Sequence, residues 1–303
     1  MKNPWADKTV LRFLRQWPDI DRDILPKFTQ TISTVTTQDA PGSQGTPEWF
    51  KSLFLDSIAL YDDTFILDSD SEILDFGCGI GDQVMDLRKS GFIASGVDIN
   101  ELWKGDFDLY WGDRSIPTDG RDQYLEAVSL GEDEYKLPFS DNQFDLCFSK
   151  STFEHIFNLE EVFTEIQRVL RPGGVSVHSF PSPLNPIEGH THVPLAFMCR
   201  FRFWLGFWAL VGKRGRHQSG MSWREVLKLN EEVIKFSTYP SQKTLKRAAS
   251  KAEANINFIE YAVINKANSR RGKLQRAFSK IGLNFATRWL LSLTHPRVMI
   301  WRK

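Results

Sequence analysis

The run ILDFGCGIGD at residues 73–82 is the most chemically informative pattern in the chain. An apolar segment that contains Asp75 leads into glycines at every second position, Gly77, Gly79 and Gly81. Because glycine tolerates positive φ and has no side chain, a ligand can lie against the bare backbone of such a turn. The first N–H groups of a following helix would point at that ligand. The pattern predicts a binding turn after a buried strand, beside an acid that favours a cationic group.

A second acid ends the next predicted strand. Residues 93–98 indicate a strand, and Asp98 lies 23 residues beyond Asp75. One strand–helix–strand unit of about 30 residues gives such a separation between strand ends. A carboxylate at this position can accept hydrogen bonds from both hydroxyls of a ribose. The alternative for a lone aspartate is a solvated loop residue.

Several segments in a fixed order resemble the class I S-adenosylmethionine-dependent methyltransferases, in particular the small-molecule, type 11-like group. The glycine motif is followed by EDEYKLPF and DNQFDLCFS within residues 132–149, STFEHI at residues 151–156 and LRPGGV at residues 170–175. A nicotinamide enzyme would instead be expected to show Gly-x-Gly-x-x-Gly. The resemblance covers about residues 70–180 and implies S-adenosylmethionine as the cofactor.

The resemblance also implies roles for single residues. Asp133 would accept a hydrogen bond from the adenine amino group, and the backbone of Glu134 would lie near the ring edge. Ser149 would end the fourth strand, where the substrate and the methyl group meet. The cofactor-binding residues predicted in all are Asp75, Gly77, Cys78, Gly79, Gly81, Asp98, Ile99, Asp133, Glu134 and Ser149.

Histidines are the candidates for the catalytic base, because an oxygen or nitrogen nucleophile must lose a proton and imidazole titrates near neutrality. His155 follows the fourth predicted strand and is the first choice, with His190 and His192 on a loop after the fifth. Each could instead be a structural histidine bonded to a backbone carbonyl, which is how we interpret His178 inside the fifth strand. His190 and His192 have no third ligand at a convincing spacing, so no metal site is predicted.

The composition is that of a globular protein, with 41% hydrophobic and 25% charged residues among 303. The net charge of zero conceals two halves, since residues 1–160 carry a net charge of −16 and residues 161–303 one of +16. The basic half favours an anionic substrate or surface, or it pairs with the acidic half on folding. Residues 203–211 are apolar but too short to span a bilayer, which needs about 20 residues. With no secretory signal at residues 1–9, we expect a cytoplasmic protein, with peripheral membrane contact as an option.

We predict an α/β fold, a Rossmann-like doubly wound sheet of seven mostly parallel strands with an antiparallel last strand. Residues 1–70 are predicted to form an N-terminal helical cap, and residues 71–303 the methyltransferase domain. A substrate-specific insertion is expected at about residues 181–255, and a basic helix at about residues 272–293, whose apolar stripe faces either the core or a membrane. The last two strands are placed at residues 256–264 and 297–301.

The predicted function is S-adenosylmethionine-dependent methyl transfer, by in-line displacement, to a small-molecule, lipid-linked or sugar-linked acceptor. No nucleic-acid partner is expected, because Ser149-Lys150-Ser151-Thr152 stands where an Asn-Pro-Pro-Tyr-like motif would follow the fourth strand. A non-catalytic S-adenosylmethionine-binding module for regulation or assembly is the alternative. The methyl acceptor, the element attacked and the oligomeric state stay open at this level.

Overall fold

The fold is taken from a computed structural model of the chain. The structure describes residues 46–68, 70–99, 123–130, 135–182, 185–215, 218–235, 237–266, 272–273, 276–277, 280 and 296–303. Most of the predicted N-terminal cap, the cofactor candidates Asp133 and Glu134, and most of the predicted basic helix lie outside these residues.

Seven strands among the described residues form one sheet. Its members in chain order are β1 (Glu72–Phe76), β2 (Ile93–Asp98), β3 (Leu125–Ala127), β6 (Phe144–Lys150), β7 (Leu170–Phe180), β8 (Asn257–Phe258) and β9 (Arg297–Arg302). Across the sheet they lie in the order β3-β2-β1-β6-β7-β9-β8. Strand β9 runs antiparallel to both neighbours, and the pairs from β3 to β7 are parallel. The predicted mostly parallel sheet with an antiparallel last strand is confirmed. A separate antiparallel pair joins β4 (Ser129–Leu130) and β5 (Tyr135–Lys136).

The central strands carry buried apolar side chains on both faces, because helices cover both sides of the sheet. In β1, Ile73 and Leu74 are fully buried on opposite faces.

The prediction for the end of the chain needs one correction. Only Asn257–Phe258 of the strand expected at residues 256–264 pairs with β9, and Glu260–Lys266 is helical.

Helices cover the two faces of the sheet. One face carries the segment from α1 (Glu48–Phe50) through a π-helical turn (Lys51–Leu55) into α2 (Asp56–Tyr61), together with α3 (Asp82–Lys89) and α8 (Glu260–Lys266). The other face carries α4 (Leu159–Val169) and α7 (Gln242–Lys251). The remaining helices are a 3₁₀ turn (Phe153–His155), α5 (Arg202–Leu210) and α6 (Trp223–Lys235). None of the helices in the described ranges combines the length and apolar character needed to cross a membrane.

The α1–α2 segment is part of the sheet core, although it falls in the predicted N-terminal cap. Phe50 and Phe54 are fully buried, and their rings lie 5.4 and 4.8 Å from that of Phe148 on β6. Residues four apart on a helix share a face, so both rings reach the sheet together. This part of the cap therefore covers the sheet instead of closing over a cleft.

The structure divides the predicted insertion at residues 181–255. Residues 193–234 contribute a hydrophobic cluster of their own, in which Leu205 and Ala209 of α5 meet Val226 and Leu227 of α6. Helix α7 instead belongs to the main core through side chains such as Leu245. Only the part with its own core has the character of an inserted unit.

Candidate functional site

The glycine-rich turn is held against the end of β2 by backbone hydrogen bonds. Gly77 and Cys78 each donate an N–H to the Val97 carbonyl, at 2.8 and 3.1 Å. The N–H of Gly79 donates to the Asp98 carboxylate at 2.9 Å. The glycine turn after β1 and the acid at the end of β2 are therefore in direct contact, and Asp98 positions the turn.

All three motif glycines have positive φ, at 81°, 55° and 80°. Two of them are also packed so closely against neighbouring side chains that a Cβ would not fit. A Cβ on Gly77 would lie 2.4 Å from the Thr152 side chain, and one on Gly81 would lie 2.4 Å from Leu125. At Gly79 the described residues leave open space within 4 Å. A side chain there would fill that space, as expected for a cradle that a ligand occupies.

Asp75 is the buried acid beside this turn. Its side chain is fully buried, and neither carboxylate oxygen has a hydrogen-bond partner among the residues that the structure describes. Burial, and next the negative charge of Asp98, raise the pKa of Asp75 to about 8. A cationic ligand group at this position would stabilise the charged form.

The other predicted cofactor residues have different surroundings. The Cys78 side chain packs in the core against Gly96, so only its backbone is available to a ligand. Ile99 is half-buried against the core. Ser149 is buried, with its hydroxyl 2.8 Å from Nδ1 of His178, and it therefore turns toward β7. Burial lowers the pKa of His178 to about 3, which fits a neutral structural histidine.

Two of the three predicted catalytic histidines come together. Nε2 of His155 lies 3.2 Å from Nε2 of His190, although 35 residues separate them in the chain. The side chain of His192 is exposed and does not join this pair. The backbone of His192 is left-handed, with φ at 57°. His155 and His190 are thus brought together, and the catalytic role predicted for His192 stays a prediction.

A buried acid fixes the orientation of His190. Oε1 of Glu188 lies 2.7 Å from Nδ1 of His190, and Glu188 also accepts hydrogen bonds from the backbone N–H of Thr191 and the hydroxyl of Tyr239. Burial would raise the pKa of Glu188, but these hydrogen bonds and the charge of His190 hold it well below its usual value. Because an ionised carboxylate only accepts, Nδ1 of His190 must carry a proton.

Glu154 is a second buried acid in this cluster. Its carboxylate is fully buried, and no donor from the described part of the chain reaches either oxygen. Burial is the main cause that raises its pKa to about 7. Backbone hydrogen bonds from Thr238 to the Glu154 carbonyl, at 2.6 Å, and from Tyr239 fix the main chain around it. Sequence patterns did not identify Glu154, Glu188 and Tyr239 as site residues. The one local signal for any of them was the position of Glu154 directly before His155.

A short stretch of chain connects this cluster to the glycine turn. The Thr152 hydroxyl donates to the Phe76 carbonyl at 3.2 Å, and the same side chain contacts Gly77. The 3₁₀ turn Phe153–His155 follows directly. The binding turn and the paired histidines thus share one end of the sheet, where β1 and β6 end.

Residues 74–178 match the family model described as a methyltransferase domain. The match includes the glycine turn, Asp98, β6 and His155. These residues form a class I S-adenosylmethionine-dependent methyltransferase domain. The methyltransferase domain thus contains the central strands of the sheet, and the resemblance stated from the motifs is confirmed.

Comparison with known proteins adds two curated relatives over the same segment. A sterol 24-C-methyltransferase of Gibberella zeae is 35% identical over 105 residues, which are 34% of this chain and 26% of that protein. A sterol 4-C-methyltransferase of Caenorhabditis elegans is 36% identical over 103 residues, 33% of this chain and 28% of that protein. The chain therefore spans about a quarter of the length of these relatives.

Among solved structures, an S-adenosylmethionine-dependent methyltransferase from Mesorhizobium loti aligns with a TM-score of 0.42 and 15% identity, over 77% of this chain and 91% of that one.

The residues around the turn fit the cofactor of this family. S-adenosylmethionine carries a cationic sulfonium and an ammonium group, and Asp75 offers an uncompensated buried carboxylate beside the turn. The space at Gly79 is free of side chains from the described residues. The cofactor needs a bare turn and acids, and both are present.

Proposed function

We propose that this protein is an S-adenosylmethionine-dependent methyltransferase whose acceptor meets the methyl group beside the Glu154–His155–His190 cluster. The observation that carries this proposal is the connection through Thr152, which contacts Gly77 and begins the turn that carries Glu154 and His155.

The chain's own residues would hold the cofactor as follows. The turn at Gly77, Gly79 and Gly81 gives a surface without side chains, and Asp75 offers a negative charge. Asp98 keeps the turn in place through the Gly79 N–H, and its carboxylate is the group proposed to accept hydrogen bonds from the ribose hydroxyls. The bound cofactor supplies an activated methyl group with a good leaving group, so alignment and exclusion of water are the main tasks of the protein.

The cluster would manage the proton that the acceptor loses. Glu188 holds Nδ1 of His190 protonated and leaves Nε2 directed at His155. Because Nε2 of His190 then accepts the hydrogen bond from Nε2 of His155, His190 and its buried carboxylate orient His155 to take the proton from the acceptor. Asp133 and Glu134, the proposed adenine contacts, and His192, an exposed histidine of the same loop, stay predictions.

We further propose a lipid-like acceptor and contact with a membrane surface from the cytoplasmic side. The sterol methyltransferase relatives support the acceptor class, although they match only the methyltransferase domain. Helix α5 supports the contact, because Phe203 and Phe207 are 76% and 45% exposed and Leu210 is 61% exposed. A folded helix rarely leaves so many large apolar side chains in water without a partner.

The proposal is tested by transfer of a labelled methyl group. Purified protein, S-adenosylmethionine labelled on the methyl carbon and a total lipid extract should give label in the organic phase. Asp98→Ala should weaken binding of S-adenosylhomocysteine by roughly 1–3 kcal/mol, the scale of charge-assisted hydrogen bonds, and reduce label in parallel. Label in the aqueous fraction alone would replace the lipid-like acceptor with a polar one.

The alternative function is a binding module without turnover. Its signature would be a rise in melting temperature with S-adenosylhomocysteine and no labelled product from any lysate fraction. The buried proton-accepting cluster beside the turn favours the enzyme, since a module would not require it.

A further inference from the structure

Three side chains of the cluster converge in a way that a histidine pair acting alone does not require. Glu154, His155 and His190 each direct one ligand atom into a common space, and these atoms all lie within 4.8 Å of one another. Glu154 and His155 come from the turn after β6, and His190 comes from the loop after β7. Two imidazole nitrogens and a carboxylate oxygen are a donor set that divalent transition metals prefer.

The distance between the two imidazoles suits shared coordination. Nitrogens that each lie about 2.1 Å from a metal ion, and 3.2 Å from each other, subtend an angle of about 100° at the ion. That angle falls between the octahedral and the tetrahedral value. The same distance also fits an N–H···N hydrogen bond, so geometry at the histidines alone does not distinguish the two.

Glu154 provides the observation that favours the ion. Its two carboxylate oxygens are fully buried and receive no hydrogen bond from the residues in the described ranges. A buried carboxylate without donors is costly, and a bound cation would compensate it. A hydrogen-bonded histidine pair would place the charge of His190 near Glu154 but would still leave both carboxylate oxygens without a hydrogen-bond donor from the described residues.

The surroundings of His190 are those of a metal ligand. Glu188 binds the ring nitrogen Nδ1 that faces away from the common space, at 2.7 Å, and Tyr239 donates to Glu188 in turn. Such a carboxylate fixes the ring so that Nε2 is presented to an ion. The His190 side chain is 31% exposed, which leaves an open side where a further ligand could enter.

We propose that Glu154, His155 and His190 bind one divalent first-row transition-metal ion, with Glu188 and Tyr239 as positioning residues. With the ion bound, both Nε2 atoms are ligands, and the ion would hold the reacting oxygen or nitrogen of the acceptor on its open side and lower its pKa, in place of proton uptake by the histidines. The role of the ion in methyl transfer rests on the proposed function, whereas the binding of the ion is independent of that function.

Cobalt(II) is the probe, because its visible absorption reports coordination directly. Tag-free full-length protein, dialysed against EDTA and then freed of it, is titrated with Co²⁺, and the bound metal is counted by elemental analysis. We expect one equivalent to bind with a saturable absorption band. An absence of saturable binding would overturn the proposal.

Matched variants locate the site. Glu154→Gln keeps the side-chain shape and should weaken Co²⁺ affinity at least ~100-fold, and Glu188→Gln should weaken it about 10–100-fold, as expected for a residue that orients a ligand. His192→Ala, in the same loop but outside the cluster, should bind like the wild type. If Glu154→Gln does not fold, His190→Gln takes its place. Equal affinity in the wild type and in the folded ligand variant would refute the site.

Binding of S-adenosylhomocysteine, measured on the same samples, separates this proposal from the proposed function. Protein that binds S-adenosylhomocysteine and transfers methyl groups, but takes up no Co²⁺, refutes the metal site and leaves the methyltransferase intact. Protein that takes up one Co²⁺ without methyl transfer refutes the enzyme and supports the metal site.

Discussion

At the scale of single residues, Asp75 shows how the fold controls a protonation state. Its carboxyl group has an ordinary pKa near 3.8, and burial together with Asp98 raises this to about 8 in the folded chain. The folded state therefore binds the proton more tightly than the unfolded state. Asp75 contributes stability below its ordinary pKa and loses that contribution as the pH rises from 3.8 through about 8.

Replacing Asp75 by asparagine should consequently stabilise the cofactor-free protein at alkaline pH. We expect Asp75→Asn to melt at a higher temperature than the wild type at pH 8.5 and at a similar temperature near pH 4, because asparagine cannot ionise. The same variant should bind S-adenosylhomocysteine more weakly, since the negative charge facing its ammonium group is lost. Differential scanning fluorimetry over pH, with and without the ligand, measures both effects.

Asp63→Asn is the control for this experiment, because Asp63 is exposed and the substitution removes the same formal charge from the surface. Its melting temperature should follow that of the wild type at each pH. A melting curve of Asp75→Asn that follows the wild type from pH 4 to 8.5 would mean that Asp75 ionises freely and faces water.

At the scale of elements, helix α5 has two different faces. Leu205, Gly206 and Ala209 are buried on the side of α6, and a Cβ on Gly206 would be in ordinary contact with Leu227, at 3.6 Å. The opposite face exposes Phe203, Phe207 and Leu210. Basic residues that complement an anionic lipid surface lie near both ends of the helix and are exposed, namely Arg200, Arg202 and Lys213.

We expect the wild-type protein to sediment with vesicles of phosphatidylcholine and phosphatidylglycerol, and less so at high salt. Phe203→Ser combined with Phe207→Ser should remove most of the bound fraction and lower the melting temperature only slightly, because Phe203 is largely exposed and Phe207 is half-exposed against Trp204 and Trp208. Trp204 and Trp208 are less suitable targets, since both pack against the cluster of residues 193–234.

Ile66→Ser serves as the matched control for the sedimentation experiment, since Ile66 is 79% exposed but lies far from α5 in the chain. It should sediment like the wild type. Equal sedimentation of the double variant and the control would mean that α5 does not carry the contact.

At the scale of the whole molecule, the sequence predicted those features that depend on local pattern. The glycine turn and the acids at the ends of β1 and β2 follow from residues that are neighbours in the chain, whereas the sheet architecture followed from the resemblance to the methyltransferases. The cluster follows from neither, because Glu154, Glu188 and Tyr239 come from segments 34 to 85 residues apart. An isolated acid in a sequence is normally solvated, and Glu154 is buried in a place where distant chain segments meet, among them Thr238 and Tyr239, whose backbone N–H groups bond to its carbonyl.

The dependence on local pattern also explains why residues 1–70 were predicted to form a cap. Their position before the first strand, together with the resemblance, predicted a cap, and helical periodicity alone does not tell which surface an apolar face meets. The structure places Phe50 and Phe54 against the sheet, beside Phe148. The two interpretations differ in what they imply for the stability of the whole domain, because a cap can be weakened without loss of the fold.

Phe54→Ala tests which interpretation describes the molecule. Removal of a fully buried phenylalanine should lower the free energy of unfolding by about 3–5 kcal/mol, through lost transfer energy and the cavity left behind. Phe203→Ala, at a ring that is 76% exposed, should change it by less than about 0.5 kcal/mol. Urea unfolding followed by far-UV circular dichroism measures both. If the α1–α2 segment were a detachable cap, Phe54→Ala would leave the main unfolding transition where it is in the wild type. If the segment is a layer of the sheet core, the whole unfolding transition shifts to lower urea concentration, because helix and sheet unfold as one unit.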